Sequence, residues 1–173
     1  MATLKTEGNL QIRNPNVFIR GDLRSKALAN PDILKPTTSD AGGVLTDGEF
    51  VFINVDSAGV ETAGRAIDDG DGVAYCSKRT YLVVSGGGRT DTQYRGMCSV
   101  LFQPVRDTEI DTLVYDGTSV VAGSPLTVGS VTIDGKVKAG LKLATGNAPI
   151  KAYCNAIGVT NQDGDGRLRA QLT

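Results

Sequence analysis

From Glu49 onward the chain alternates short apolar runs with turns that carry glycine. The runs are Phe50-Val51-Phe52-Ile53-Asn54-Val55, Tyr81-Leu82-Val83-Val84, Cys98-Ser99-Val100-Leu101-Phe102 and Asp111-Thr112-Leu113-Val114-Tyr115, then residues 126–128, 130–133, 137–143, 151–159 and 167–172. β-Branched and aromatic side chains fit a pleated, half-buried surface, so each run predicts a strand. In the last run leucine or alanine alternates with a polar residue, as on a strand with one wet face. Between the runs lie Asp69-Gly70, Asp71-Gly72, Asp116-Gly117, Asp134-Gly135 and Asp163-Gly164-Asp165-Gly166. Asp-Gly tolerates the positive φ that tight hairpin turns require, and Ile133-Asp134-Gly135-Lys136-Val137 is the clearest hairpin in the chain. Ten or so short strands at intervals of roughly 8 to 15 residues predict an antiparallel β-sandwich or β-barrel over residues 46–173.

Residues 1–45 read differently. Asn14-Pro15, Asn30-Pro31 and Lys35-Pro36 interrupt any periodicity, and residues 37–43 read as loop. Residues 22–29 predict two helical turns capped by Asp22. Lys5, Arg13, Arg20, Arg24, Lys26 and Lys35 outnumber Glu7, Asp22, Asp32 and Asp40. The expectation is a weakly basic, extended N-terminal arm that packs poorly on itself. Such an arm either frays or becomes ordered on a partner's surface.

Composition supports the sheet reading. The 173 residues include 22 glycines, above the average share of about 7%, and glycine inside a helix costs roughly 1 kcal/mol against alanine. With 40% hydrophobic residues the chain can bury a sizeable core. The net charge of -1 and pI of about 5.4 do not suit a grip on phosphates, so nucleic acid is not the expected partner. No apolar run reaches the roughly 18 residues of a membrane-spanning helix, so no membrane partner is expected either. The opening MATLKTEGNLQIRN lacks the apolar core of a secretory signal, which makes the cytoplasm the expected site of synthesis. Cys76, Cys98 and Cys154 stand far apart, an odd set that argues for buried free thiols rather than disulfides or zinc.

Candidate chemistry is sparse. The chain has no histidine, which removes Ser-His-Asp and Cys-His catalysis and the commonest acid–base group. Gly86-Gly87-Gly88-Arg89 lacks the rest of a phosphate-binding loop and reads as a flexible hairpin. Asn161 to Gly166 imitates the first half of a calcium loop, but Leu172 stands where the bidentate glutamate belongs. The acidic knot from Asp68 to Gly72 could serve glycoside chemistry, yet no tryptophan is present to stack a sugar. The residues predict no enzyme, no cofactor and no metal.

Arg89-Thr90-Asp91-Thr92-Gln93-Tyr94-Arg95-Gly96, a β run, Asp111 to Asp116 and Ala122-Gly123-Ser124-Pro125-Leu126-Thr127-Val128 together resemble capsid accessory proteins of tailed bacteriophages. In those decoration or cement proteins an Arg-Thr-Asp stretch precedes strands and a Gly-x-Pro/Leu-Leu-Thr-Val turn opens a C-terminal β unit. The ending is similar too, with an apolar strand over residues 149–159 and the short strand Arg167-Leu168-Arg169-Ala170-Gln171-Leu172. The resemblance covers roughly residues 80–173. It implies a non-enzymatic virion subunit on the capsid exterior, a homotrimer that clamps the major capsid protein after shell expansion. A β module supplies a rigid body, an arm can add a strand to a neighbour's sheet, and many sites act through avidity. On that reading the contact residues are Arg13, Phe18, Arg20, Leu23 and Leu28 in the arm, and Arg89, Asp91 and Arg95 in the loop. A solvated hairpin held by local ion pairs accounts equally well for the loop residues. A tail-tube, tail-terminator or baseplate protein, or a glycan-binding module, are the alternatives.

Overall fold

The computed structural model describes Leu4 and residues 9–13, 22–25, 48–55, 61–66, 80–85, 100–103, 106–160 and 165–173. These residues form eleven strands: β1 (Leu10–Ile12), β2 (Asp22–Ser25), β3 (Phe50–Val55), β4 (Glu61–Arg65), β5 (Thr80–Ser85), β6 (Val100–Gln103), β7 (Glu109–Thr112), β8 (Pro125–Ile133), β9 (Lys136–Leu143), β10 (Ala152–Val159) and β11 (Arg167–Leu172). No helix occurs among the described residues. The chain is all-β.

The strands form a six-stranded sheet in the order β1-β7-β11-β10-β8-β9 and a five-stranded sheet in the order β2-β6-β5-β3-β4, all pairs antiparallel. The six-stranded sheet curls into a half-barrel. Beyond β7 the chain runs to the far strand: Leu141 N donates to Val114 O at 3.1 Å, and Asp116 N donates to Leu141 O at 2.8 Å. This parallel bridge between Tyr115 and Leu141 covers part of the edge that β9 would otherwise present. β11, the last strand in chain order, lies inside the sheet between β7 and β10.

The period-2 pattern decides which face is buried. Ile110 of β7, Leu168, Ala170 and Leu172 of β11, Ala152 and Cys154 of β10, Leu126 and Val128 of β8, and Ala139 and Leu141 of β9 all face one core. Phe50 and Ala66, from the five-stranded sheet's β3 and the residue after β4, pack into it, as does Val120 from the β7–β8 connection. A second small cluster joins Val114, Val131 and Ile133, with Leu4 against it.

The β8–β9 hairpin is the one expected. Asp134 and Gly135 take φ of 51° and 72°, the paired left-handed positions of a type I′ turn, and Ile133 faces Lys136. Other expectations change. The separate runs 126–128 and 130–133 are one strand, because Gly129 stays in register with Gly140. Asp116-Gly117 is not a hairpin turn: the Asp116 carboxylate accepts from Thr118 N at 2.9 Å, an Asx-type turn that starts a longer connection.

The expected helix at 22–29 is corrected at its start, where Asp22–Ser25 is a strand in register with residues 100–103 of β6. Two helical turns are too short to hold themselves, and a ladder with β6 satisfies the same backbone groups. Part of the expected arm also belongs to a sheet. Leu10–Ile12 pairs with β7, and Leu10 and Ile12 are packed against the core.

Candidate interaction face

The outer face of the half-barrel is built by cross-strand rows. Opposed residues of antiparallel strands point to the same side, so Tyr153 of β10, Gln171 of β11 and Glu109 of β7 share one row. The next row places Arg169 of β11 beside Asp111 of β7 and Gln11 of β1.

Lateral bonds tie these rows together. Arg169 donates from Nε to Asp111 Oδ1 at 2.8 Å and from Nη2 to Asp111 Oδ2 at 3.0 Å. This two-pronged geometry suits a planar guanidinium and holds its pKa above the usual arginine value, the hydrogen bond to Asp111 being the main cause. Arg13 Nε lies 3.7 Å from Asp111 Oδ2. Asn155 Nδ2 donates to Glu109 Oε2 at 3.1 Å, and Gln171 Nε2 donates to Asp107 Oδ1 at 3.1 Å.

Exposed apolar groups occur on both sides of β10. Tyr153, in the outer row, is 45% exposed; Ile157, past the register shift between Cys154 and Ala156, is 42% exposed and lies close to Gly117. Ile150 and Val121 are also exposed. Ile150 precedes β10 and its carbonyl accepts from Thr173 Oγ1. Val121 opens a turn hydrogen-bonded alongside β10, where Gly123 N donates to Cys154 O at 2.7 Å and Cys154 N donates to Ser124 O at 2.9 Å. All four exposed large apolar side chains among the described residues thus lie on β10 or next to it.

Other ionisable groups are engaged structurally. Glu49, ahead of β3, and Lys138 of β9 form a buried ion pair at 3.2 Å, and Ala139 N donates to the second Glu49 oxygen at 3.2 Å. Arg167 Nη2 donates to Asp165 Oδ2 at 3.1 Å, which gives one acid of the calcium-loop-like segment a place beside β11. The Tyr115 hydroxyl donates to Gly166 O at 3.0 Å, and burial, with Cys154 nearby, raises its pKa. Burial also raises the pKa of the Cys154 thiol. A thiol so placed reacts slowly.

A shallow cleft lies between residues 115–118 and the β8–β9 turn at 132–134. Its two carboxylates hold backbone amides: Asp116 that of Thr118, and Asp134 that of Leu4 at 3.1 Å. Among the described residues no group of three or more His, Cys, Asp or Glu side chains is arranged to hold a metal ion.

Of the expected contact residues, Arg13 follows β1, exposed beside Asp111. Leu23 lies in β2, its backbone in register with Phe102. Phe18, Arg20, Leu28, Arg89, Asp91 and Arg95 lie outside the described residues. The sequence reading missed Tyr153 and Ile157, although Ala152-Tyr153-Cys154-Asn155 alternates small or apolar with larger polar residues and marks Tyr153 as outward-facing.

No family model, curated protein or solved structure matches this chain.

Proposed function

We propose that this chain is a structural subunit of a virion, a cement protein that binds the outer surface of an expanded tailed-phage head and stabilises contacts between major capsid protein subunits. The resemblance of residues 80–173 to decoration proteins is the source of the reading. The observation that carries it furthest is the use made of buried charge. Glu49 with Lys138 and Asp111 with Arg169 join strands that are distant in sequence. Charges arranged this way fix the shape of a rigid body, and a cement protein works through shape and surface.

A sandwich or closed barrel, an N-terminal arm that engages a neighbour, and a homotrimer near threefold axes complete the proposal. The test is to purify virions of the virus that encodes the chain, measure its copy number by quantitative mass spectrometry and locate it by electron microscopy. Threefold particles on expanded heads are the expected result. Sixfold rings or tubes would assign the chain to the tail, and absence from the virion would end the reading.

A further inference from the structure

We infer that the N-terminal segment carrying β1 and β2 passes between copies of this chain, so that crowded copies complete one another's sheets. The inference rests on the arm proposed for the cement protein and names its neighbour as a second copy. It is tested on purified chain, so it can fail while the virion assignment stands.

Both strands end their sheets. When β1 leaves, the six-stranded sheet keeps the ladders among its other five strands, and the five-stranded sheet keeps those among β6, β5, β3 and β4 when β2 leaves. Both also pair far along the chain, Leu10 with Thr112, 102 residues on, and Ser25 with Val100, 75 residues on. A segment that pairs with a remote edge binds it as a separate strand would, main-chain bonds holding it and alternate side chains fitting pockets. Leu10 and Ile12 fill that role against the main core. Leu4 packs against Val114, Val131 and Ile133, and its amide donates to Asp134 at 3.1 Å.

The acceptor edge selects the donor. Leu113 N donates to Asn9 O at 2.9 Å and Arg13 N donates to Glu109 O at 2.8 Å on either side of β1. Every copy of the chain carries this same edge and this same segment, so exchange repeats the described contacts and needs no further surface. The connection has the reach. The 22 residues from Lys26 to Asp47 span up to about 75 Å when extended, more than the roughly 30 Å across a small domain.

Concentration decides between the two arrangements. A tether gives a chain's own strand an effective concentration on the order of 1 mM. Dilute chain therefore closes on itself, whereas copies packed side by side exceed that concentration and hand their strands across.

The test uses two full-length chains, one with Leu10→Cys and the other with Thr112→Cys. Positions 10 and 112 lie between the hydrogen-bonded pairs 9/113 and 11/111, a non-hydrogen-bonded pair whose Cα atoms stand about 4.5 Å apart, within disulfide range. The two chains are unfolded together in urea, dialysed back at about 1 mM or about 10 µM and oxidised, and the cross-linked peptides are mapped by mass spectrometry. Thermal unfolding verifies that each variant folds, and an Ile12→Cys chain with an Ile110→Cys chain repeats the test at the next non-hydrogen-bonded pair. An Asn147→Cys chain replaces the Thr112→Cys chain as the control for chance collision, and Leu10→Cys/Thr112→Cys in one chain reports closure within a chain. The expected result is a 10-to-112 bond between chains well above the collision control at the higher concentration, its ratio to the within-chain bond falling about a hundredfold at the lower one. Folded chains that cross-link only within themselves at both concentrations would overturn the exchange. Absence of both bonds would overturn it too, by removing the β1–β7 pairing on which it stands.

Discussion

Glu49 and Lys138 are 89 residues apart in sequence and meet at 3.2 Å, with side chains 0% and 3% exposed. The pair joins the approach to β3 to the edge of β9. Removing one member takes the paired opposite charge from the other in a dry environment, so Lys138→Met is expected to destabilise the chain by about 3–5 kcal/mol. In Glu49→Gln/Lys138→Met both charges of the pair are gone, and an amide can still accept from Ala139 N. The double variant should recover most of the loss, as read from urea midpoints. A double variant as unstable as the single one would show that the stranded charge is not the cause.

Asp111 and Arg169 give a milder version of the same test, because Arg169 is 27% exposed. Arg169→Lys keeps the charge and loses the two-pronged bond, at an expected cost of about 1 kcal/mol. Asp111→Ala leaves a partly exposed guanidinium without its carboxylate and should cost about 1–3 kcal/mol. Equal urea midpoints for Arg169→Lys and wild type would mean that the fork geometry contributes nothing.

Two glycines facing each other across β8 and β9 should behave oppositely. A Cβ on Gly140 would stand 2.5 Å from Val114 O and 2.8 Å from Val131 Cγ2, whereas a Cβ on Gly129 would meet the flexible end of Lys142. Gly140→Ala is expected to lose about 1–3 kcal/mol or more, with faster hydrogen exchange at the Leu141 and Asp116 amides. Gly129→Ala should stay within about 1 kcal/mol of wild type, since removing glycine from a strand offsets part of the crowding.

Acid should loosen the start of the β7–β8 connection. Hydrogen bonds from the Thr118 side chain and then its amide hold the Asp116 carboxyl below the usual aspartate range. A depressed folded-state pKa contributes stability above the unfolded value, lost as pH falls through the folded one. Asp116 is exposed, so solvent screening keeps the effect on global stability small. Its signature is spectroscopic. The Thr118 amide resonance should titrate with a midpoint below that of an ordinary aspartate, and Asp116→Asn should abolish the transition.

Strand content and the β8–β9 hairpin were legible because both rest on local chemistry: β-branched runs, and Asp134-Gly135 with its positive φ. β1, β2 and β4 were not. Leu10-Gln11-Ile12 is only three residues long, and its strand state depends on pairing with Ile110, Asp111 and Thr112 about 100 residues away. Glu61-Thr62-Ala63-Gly64-Arg65 carries one β-branched residue and is a strand because β3 lies beside it. Asp111 with Arg169, and Glu49 with Lys138, follow from register and topology, which no spacing along the chain encodes. Tyr153 was within reach, since alternation alone puts it opposite Cys154.

The place of β11 orders events in time. Ribosomes finish β7, β8, β9 and β10 before Arg167–Leu172 exists, yet β7 and β10 have no shared boundary until that segment arrives between them. The two halves of the sheet, β1-β7 and β10-β8-β9, therefore become one ladder only when Arg167–Leu172 takes its place between them.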